Sequence, residues 1–333
     1  MYSEILFNDA SEVCRAVDLR PLDGATVLIT GATGMLGINL LASLCLARES
    51  GIRNTTFAHC HSTPSAHTLE IAKRGGIQLV REMPLGADII VHASGYAQPA
   101  VFTANPAETI RINTSLTQDL LDLLRRDGKF LFISSSEVYN GLQKPFAQES
   151  DIGTTNPYHT RACYIEGKRC GEAICNSYRK FEVNATSARL SLAYGPGTRK
   201  HDKRALSTFI EKALTSGVID MKYSGKELRT FCYVRDAVIM LWRVLLYGTE
   251  PVYNVGGHLA VSMAEMAECV SRLTGAKVTF PEIEEELKGA PEVSRMDLSL
   301  IENEFGAVDY VGLEEGLKST IDWQRGLYGT VQN

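Results

Sequence analysis

The chain has 333 residues, 44% of them hydrophobic, and a formal net charge of −5 without a basic block. This charge argues against nucleic acid as the main partner, because phosphate binding needs clustered lysines and arginines. No apolar run reaches the roughly 20 residues of a membrane helix, so no membrane partner is expected.

The N-terminal segment and the cysteines bear on the cellular compartment. The first residues, MYSEILFNDASEVC, carry acids and lack the basic and then apolar pattern of a signal peptide. The eight cysteines are scattered without paired CxxC spacing, which predicts neither a metal site nor a disulfide framework. We therefore expect reduced cysteines and a cytoplasmic protein.

In the first half of the chain, short apolar runs alternate with helical patterns. Residues 25–30 (ATVLIT) predict a buried strand that ends at a glycine, and residues 35–47 have helical apolar spacing. TTFAHC, ADIIVHAS and KFLFISSS predict further strands, and residues 114–126 predict a clear helix. Strands that alternate with helices predict an α/β fold with a Rossmann-type, doubly wound parallel sheet covered on both faces.

After Arg189 the pattern changes to a loop rich in glycine, proline and charge, followed by helices and short strands. We interpret this second half as a smaller α/β lobe that binds substrate. FCYVRD and VYNVGG look like elements of the large sheet, so the boundary is interleaved. The first lobe is predicted to comprise residues 1–190 with 231–257, and the second lobe residues 191–230 and 258–333.

Three glycines with G-x-x-G-x-x-G spacing follow the first strand and begin the next helix. Glycine permits a tight turn and lets the backbone approach a pyrophosphate, and the helix N-terminus supplies free N–H groups. A turn used only for close packing is the alternative, but its place between strand and helix favours a dinucleotide. The predicted cofactor contacts are Gly31, Gly34, Met35, Leu36, Gly37, His59, Ala93, Tyr164 and Lys168.

The end of the second strand lacks an expected acid. A carboxylate there would bind the adenosine ribose hydroxyls, whereas a nearby arginine would accommodate a 2′-phosphate. The sequence TTFAHCHSTPS offers His59, Cys60, His61 and Ser62, and no arginine follows at once. NAD is the expected cofactor, and the choice between NAD and NADP stays open.

Hydroxyl groups and a tyrosine–lysine pair predict oxidation of an alcohol. The strand KFLFISSS ends in Ser135 and Ser136 and is followed by Glu137, at the edge of the sheet where ligands bind. Tyr164 and Lys168 are one helical turn apart and therefore lie on one helix face. A phenol is a poor base at neutral pH, and an ammonium and an oxidised nicotinamide would both stabilise its phenolate.

The glycine turn, SSSEVY and YIEGK together resemble the extended short-chain dehydrogenase/reductases that act on nucleotide sugars. The resemblance implies a nucleotide-sugar substrate, transient oxidation at its C4, and a homodimer formed through helices near 114–126 and 161–180. YGPGTRKHDKRALSTFI and LRTFCYVRDAV resemble the family's diphosphate-binding segments, in which Arg204 and Arg229 would clamp phosphate oxygens. The second lobe would then be the nucleotide-sugar-binding lobe.

The resemblance also ranks the reactions. UDP-glucuronate decarboxylases carry Ser-Glu after the catalytic hydroxyl, and 4,6-dehydratases usually carry Asp-Glu. Here Ser135 takes the place of that hydroxyl, Ser136 and Glu137 follow, and RACYIEGKR resembles the decarboxylase pattern. The catalytic set implied is Ser135, Glu137, Tyr164 and Lys168, and the substrate-binding set is Ser136, Arg204, Arg229 and Arg295.

Three departures keep alternatives open. Decarboxylases have an arginine in a segment like RKPDI, where VSRMDL here places Ser294 and then Arg295. An asparagine common before YGP is replaced by Leu192, and the usual adenine-contacting aspartate is missing. The alternatives are a nucleotide-sugar 4-epimerase, an atypical 4,6-dehydratase, and a protein that senses a dinucleotide without turnover; Glu137 would then only orient its neighbours.

Overall fold

A seven-stranded parallel sheet is the centre of the fold in the computed structural model, which describes residues 2–258, 260–281 and 293–329. The strands are β1 (Thr26–Thr30), β2 (Thr55–His59), β3 (Gln78–Val80), β4 (Ala87–His92), β5 (Leu124–Ser135), β6 (Asn184–Leu190), β7 (Leu192–Tyr194), β8 (Val218–Asp220), β9 (Leu228–Tyr233), β10 (Val252–Val255), β11 (Ala260–Ser262), β12 (Lys277–Thr279) and β13 (Val293–Ser294).

Helices cover both faces of this sheet and build a second, smaller body. They are α1 (Tyr2–Ala16), α2 (Met35–Glu49), α3 (Ala66–Gly75), α4 (Pro99–Ala104), α5 (Pro106–Asn113), α6 (Ser115–Asp122), α7 (Ala162–Arg179), α8 (Ala205–Thr215), α9 (Val234–Tyr247), α10 (Met263–Thr274), α11 (Ser299–Phe305) and α12 (Leu313–Tyr328), with 3-10 helices at Arg20–Leu22 and Ser136–Tyr139.

The strand order of the large sheet is β3-β2-β1-β4-β5-β6-β10. This is the doubly wound order, in which successive strands are added first to one side of β1 and then, from β4 onward, to the other. The change leaves a crevice at the carboxyl ends of β1 and β4. Along β1, Val27 and Ile29 enter one hydrophobic core and Leu28 enters the core on the opposite face. Apolar residues at every position are therefore needed, and the predicted Rossmann-type fold is confirmed.

One predicted helix is too long. The pattern predicts a helix over residues 114–126, but α6 ends at Asp122 and β5 begins at Leu124. Leu124 pairs with Ala87 of β4 across an irregular register, and the guanidinium of Arg125 bonds the carboxylate of Asp88 at 3.0 Å. Pairing with a neighbouring strand overrides the local helical pattern at this point.

The smaller body contains a second sheet, in which β9 pairs with β7, β11 and β13. Its hydrophobic core lies among α8, α10 and α12 and includes Phe209, Met266, Val270 and Leu317. The parallel pair β8 and β12 lies beside this core. The second half of the chain therefore forms an α/β body with a core of its own.

The structure places the segment predicted to join the first lobe in two different sheets. Residues 231–257 are predicted to join the first lobe, and α9 and β10 do pack with the large sheet. The strand β9, however, lies in the smaller sheet and passes directly into α9 at Val234. Residues 259, 282–292 and 330–333 of the second predicted lobe, and residue 1 of the first, lie outside the described residues. Within the described part of the chain, no helix combines the length and apolar character that a bilayer span requires.

Candidate active site

A cavity of about 580 Å³ opens where the large sheet faces the smaller body. Its walls are the glycine turn after β1, the carboxyl ends of β4 and β5, one face of α7 and the segments around β7 and β9. Ser135, Ser136, Glu137, Tyr164 and Lys168 all line it. A second cavity of about 380 Å³ shares the glycine turn and the end of β4 and extends toward the end of β2.

The glycine turn leaves no room for side chains. Gly31 has φ +66°, and a Cβ on it would lie 2.4 Å from the carbonyl oxygen of Ala93. A Cβ on Gly37 would lie 2.3 Å from the carbonyl oxygen of Gly31. The turn brings bare backbone to the N-terminus of α2, where Met35 and Leu36 also line the cavity. This cradle, at the topological switch point, suits the pyrophosphate of a dinucleotide.

Tyr164, Lys168 and Ser135 are brought together by α7 and the end of β5. The ammonium Nζ of Lys168 donates to the carbonyl oxygen of Ile133 at 2.7 Å and lies 5.7 Å from the ring centroid of Tyr164. Ser135 lies close to Tyr164 and lowers the pKa of its phenol. The Ser135 Oγ also accepts from the backbone N–H of Glu137 at 3.2 Å, which fixes the serine rotamer.

Burial dominates the titration of this pair. It raises the pKa of Tyr164, and the hydrogen bond from Ser135 and the charges of Arg161 and Arg204 oppose the rise. It lowers the pKa of Lys168 to about 7, against the opposing charge of Glu172. In the absence of another positive group, the protein therefore holds a neutral phenol beside a readily deprotonated amine.

Two residues that the sequence did not single out complete the catalytic wall. The rings of Phe102 and Tyr164 are stacked, with centroids 4.7 Å apart and planes at 13°. The guanidinium of Arg161 lies 5.7 Å from the centroid of Phe102 and forms an ion pair with Glu137 (Nη2–Oε1 2.5 Å). Phe102 lies 62 residues from Tyr164 in sequence, so spacing gave no signal for it. Arg161 is part of RACYIEGKR, but its pairing with Glu137 was not predicted.

The ion pair leaves hydrogen-bonding capacity unused. Among the described residues, Oε2 of Glu137 and Nε of Arg161 are buried and have no hydrogen-bond partner. Both side chains line the cavity and are only about one-fifth exposed. A buried polar atom without a partner is costly, so these atoms are suited to meet a polar ligand.

A buried polar network holds the end of β5 from behind. Ser134 donates to Glu172 (2.5 Å), which pairs with Arg189 (2.8 Å). Arg189 in turn donates to the hydroxyl of Tyr139 (2.8 Å), and that hydroxyl donates to Asn254 (2.7 Å). The network links β5, α7, β6 and β10, so it sets the distance between Ser135 and the helix that carries Tyr164.

The predicted substrate ligands divide into two groups. Arg204 lines both cavities and is held by Asp202 (Nη2–Oδ2 2.7 Å), and Arg229 lines the larger cavity, where burial lowers its pKa. Arg295 does not line the larger cavity. Its guanidinium lies 5.6 Å from the ring centroid of Phe146 and borders a third cavity, separate from the two described above. The position of Arg295 therefore does not support its predicted role as a substrate ligand.

Two further positions agree with their predicted places. Ala93 lines both cavities at the end of β4, and His59 lines the smaller cavity at the end of β2. The Nε2 of His59 lies 3.0 Å from the carbonyl oxygen of Arg81, and burial lowers the pKa of its ring. Leu192, which replaces an asparagine, also lines the larger cavity, so an apolar side chain stands there.

Sequence comparison identifies relatives over nearly the whole chain. Residues 27–256 match the NAD dependent epimerase/dehydratase family. UDP-glucuronic acid decarboxylase 1 of Xenopus tropicalis is 30% identical over 309 residues, covering 91% of this chain and 73% of that protein. UDP-glucuronic acid decarboxylase 3 of Arabidopsis thaliana is 30% identical over 299 residues, covering 87% of this chain and 86% of that protein.

Solved structures with the same architecture include enzymes of two reaction types. A UDP-glucuronic acid 4-epimerase from Bacillus cereus, solved with UDP-glucuronic acid and NAD, superposes with a TM-score of 0.76 at 22% identity, covering 91% of this chain and 100% of that one. The dTDP-glucose 4,6-dehydratase DesIV from Streptomyces venezuelae gives 0.78 at 20% identity, covering 91% and 99%. At these identities the likeness supports the fold.

Proposed function

Because the chain belongs to the NAD dependent epimerase/dehydratase family, we propose that it decarboxylates a UDP-linked hexuronic acid after transient oxidation at C4. It is an NAD-dependent enzyme that modifies nucleotide sugars, so a sensor without turnover is not needed to explain the chain. The observation that carries the choice of reaction is the Glu137–Arg161 pair, which lines the cavity with Tyr164 and contains buried polar atoms without a partner.

Bound NAD supplies the hydride acceptor for C4. Tyr164 as phenolate takes the proton of the C4 hydroxyl, and Ser135 donates a hydrogen bond to the same oxygen. Both residues line the same cavity, so one substrate oxygen can contact both hydroxyls. Lys168, anchored on Ile133, stabilises the phenolate when it carries its proton.

The resulting 4-ketone is next to C5, which carries the carboxylate. When the C5–C6 bond breaks, carbon dioxide leaves and the electron pair moves toward the ketone oxygen that Tyr164 and Ser135 contact. The guanidinium of Arg161 is suited to hold the carboxylate before it leaves, since its planar fork pairs with two oxygens. C5 then takes up a proton and C4 is reduced again. Ser136 replaces the acid that a 4,6-dehydratase would use to expel a 6-hydroxyl, which argues against dehydration.

Product mass tests the proposal. Purified enzyme with NAD is incubated with UDP-glucuronic acid, and the nucleotide-sugar products are analysed by mass spectrometry. Loss of carbon dioxide with formation of a UDP-pentose is expected, and Tyr164→Phe should abolish it. Turnover of neutral UDP- or dTDP-hexoses but not of the hexuronate would refute the proposal.

A 4-epimerase acting on the same hexuronate is the second candidate. The position of Arg295 favours it, because the arginine that the decarboxylase resemblance places near the carboxylate lies beside Phe146 instead. Epimerisation would leave the mass unchanged and invert C4, which chromatography against UDP-galacturonic acid would detect.

Three further predictions belong with this proposal. The two-lobe division into a dinucleotide part and a nucleotide-sugar part is supported by cavity walls drawn from both. A cytoplasmic location is supported by eight free cysteines. The homodimer predicted through the helices near 114–126 and 161–180 would use α6 and α7, and Ile110 of α5, which packs against α7, is 45% exposed beside them. Light scattering after size exclusion should show a dimer, and Ile110→Glu should give monomers.

A further inference from the structure

The adenosine end of the dinucleotide site has an unusual charge. At the end of β2, where a carboxylate ordinarily holds the ribose hydroxyls, the residues 59–62 are His-Cys-His-Ser. His59, His61 and Ser62 line the smaller cavity. The wall nearest the ribose therefore carries no negative side chain from this segment, and a ligand there meets ring nitrogens and a hydroxyl.

Arg199 reaches this place from the smaller body. It lies in the loop between β7 and α8, and its Nε donates to the carbonyl oxygen of Thr33 at 3.0 Å. Its Nη2 donates to the hydroxyl of Thr33, and Nη1 and Nη2 both lie 3.4 Å from Oγ of Ser62. One guanidinium therefore spans from the glycine turn to the segment after β2.

A second guanidinium lies at the same corner. Arg81, one residue after β3, donates from Nη1 to the carbonyl oxygen of His61. His61 and Ser62 are adjacent in the chain, so Arg81 and Arg199 both contact the segment that follows β2. No arginine comes directly after β2 in the sequence, so the two arginines are brought together only by the fold.

The two cations are not neutralised by the protein. Within the described ranges, neither Arg81 nor Arg199 forms an ion pair with a carboxylate. Arg199 lines the smaller cavity, and the two further arginines in its lining are paired: Arg111 with Glu108 at 2.8 Å, and Arg204 with Asp202 at 2.7 Å. Positive charge without a counter-charge is therefore concentrated at the corner where a ribose 2′ position would lie.

We propose that Arg81, Arg199 and Ser62 form a binding site for the 2′-phosphate of NADP, so that this chain binds NADP at least as tightly as NAD. The site rests on the proposed function, since it needs a dinucleotide whose pyrophosphate lies on the glycine turn. Guanidinium groups match a phosphate because they donate in pairs, and a serine hydroxyl adds one more donor. A carboxylate in this segment would repel the same group.

Equilibrium binding tests the site without turnover. The purified full-length chain, stripped of resident dinucleotide, is titrated with NADH and NADPH while nicotinamide fluorescence is followed. The expected Kd for NADPH is equal to or lower than that for NADH. Weaker binding of NADPH than of NADH would overturn the proposal.

Single substitutions identify the contacts. Arg81→Ala and Arg199→Ala should each raise the Kd for NADPH about tenfold, as loss of a charge-assisted hydrogen bond predicts, and leave the Kd for NADH within about twofold. Arg126→Ala is the matched control, an exposed arginine at the start of β5. Equal weakening of both dinucleotides would show that the arginines only tie loops together, and would contradict the site.

A substitution that adds a negative charge provides the converse test of the site. Ser62→Asp should neutralise Arg199 and raise the Kd for NADPH by more than tenfold while NADH binding is kept. Isothermal titration with 2′,5′-ADP and 5′-ADP checks that the preference comes from the 2′-phosphate. NADPH binding without turnover of any nucleotide sugar would refute the proposed function and uphold this site, whereas turnover with NADH-selective binding would do the reverse.

Discussion

The two ends of the dinucleotide site are built in opposite ways. At the catalytic end, Tyr164 and Lys168 are buried; Lys168 donates to the carbonyl oxygen of Ile133 near the end of β5, and Tyr164 is stacked on Phe102. At the adenosine end, Arg199 is exposed and reaches back 166 residues to Thr33. The first end is fixed by packing, and the second by side chains that converge from both bodies.

The difference shows in the electrostatics. Burial sets the pKa values of Tyr164 and Lys168, so small changes in nearby charge act strongly there. The guanidinium groups at the other end are exposed to solvent, where salt screens their charges. Chemistry is therefore expected to depend on the buried end, and the choice of dinucleotide on the exposed end.

Tyr164→Phe should have the largest effect. Removal of the phenol hydroxyl removes the proton acceptor, and we expect kcat to fall by about 10²–10⁴-fold. NADH binding measured by fluorescence should be unchanged, because the ring and its stacking on Phe102 remain. Tyr158→Phe is the matched control, since Tyr158 is 96% exposed. A Tyr164→Phe enzyme with near wild-type kcat would exclude the phenol as the base.

Arg189→Met should be the next largest change and acts on stability. It leaves Glu172 buried without its cation and removes the donor to Tyr139, so the free energy of unfolding should fall by about 3–5 kcal/mol. Urea unfolding followed by circular dichroism measures it. Arg126→Met, at an exposed position, should change stability by less than about 0.5 kcal/mol. Equal stability of the two variants would mean that the network does not support the catalytic end.

The same contrast explains what the sequence could predict. Gly31, Ser135, Tyr164 and Lys168 lie in short motifs with fixed spacing, and their positions follow from two strand ends, one turn and one helix. The Phe102 stack and the Arg199 contacts join residues far apart in the chain, so no local pattern encodes them.

Two places where the structure departs from local expectation have the same origin. Arg295 was assigned from a short match near the C-terminus, but the structure sends its side chain to Phe146. The helix predicted over 114–126 ends early because Leu124 pairs with Ala87 of a strand elsewhere in the chain. In both cases a contact made only in the folded protein decided between local possibilities.

Charge at the catalytic wall should shift the pH dependence in opposite directions. The charge of Glu137 raises the pKa of Tyr164, and that of Arg161 lowers it. C4 oxidation needs the phenolate, so its rate rises with pH through this pKa. Glu137→Gln should therefore move the rising limb to lower pH, and Arg161→Gln should move it to higher pH.

Single-turnover formation of reduced nicotinamide, measured across pH, separates this step from decarboxylation. Lys168→Arg keeps a positive charge and serves as a control for loss of the fold around Tyr164. Shifts of both variants in the same direction would show that structural damage, and not the two charges, changes the pH at which the rate rises.

Ionic strength should produce the smallest effect and tests the exposed end directly. The Debye length falls from about 10 Å at 0.1 M salt to about 3 Å at 1 M, which screens exposed charges far more than buried ones. Binding of NADPH should therefore weaken by more than binding of NADH over this range, by a few-fold at most, while kcat at saturating dinucleotide stays constant. The difference should be smaller in Arg199→Ala, because the phosphate then keeps only one of its two cations. If salt weakened the binding of both dinucleotides alike in the unaltered protein, the 2′ position would not be in contact with Arg81 and Arg199. The division that burial implies, with chemistry at the buried end and the choice of dinucleotide at the exposed end, would then be wrong.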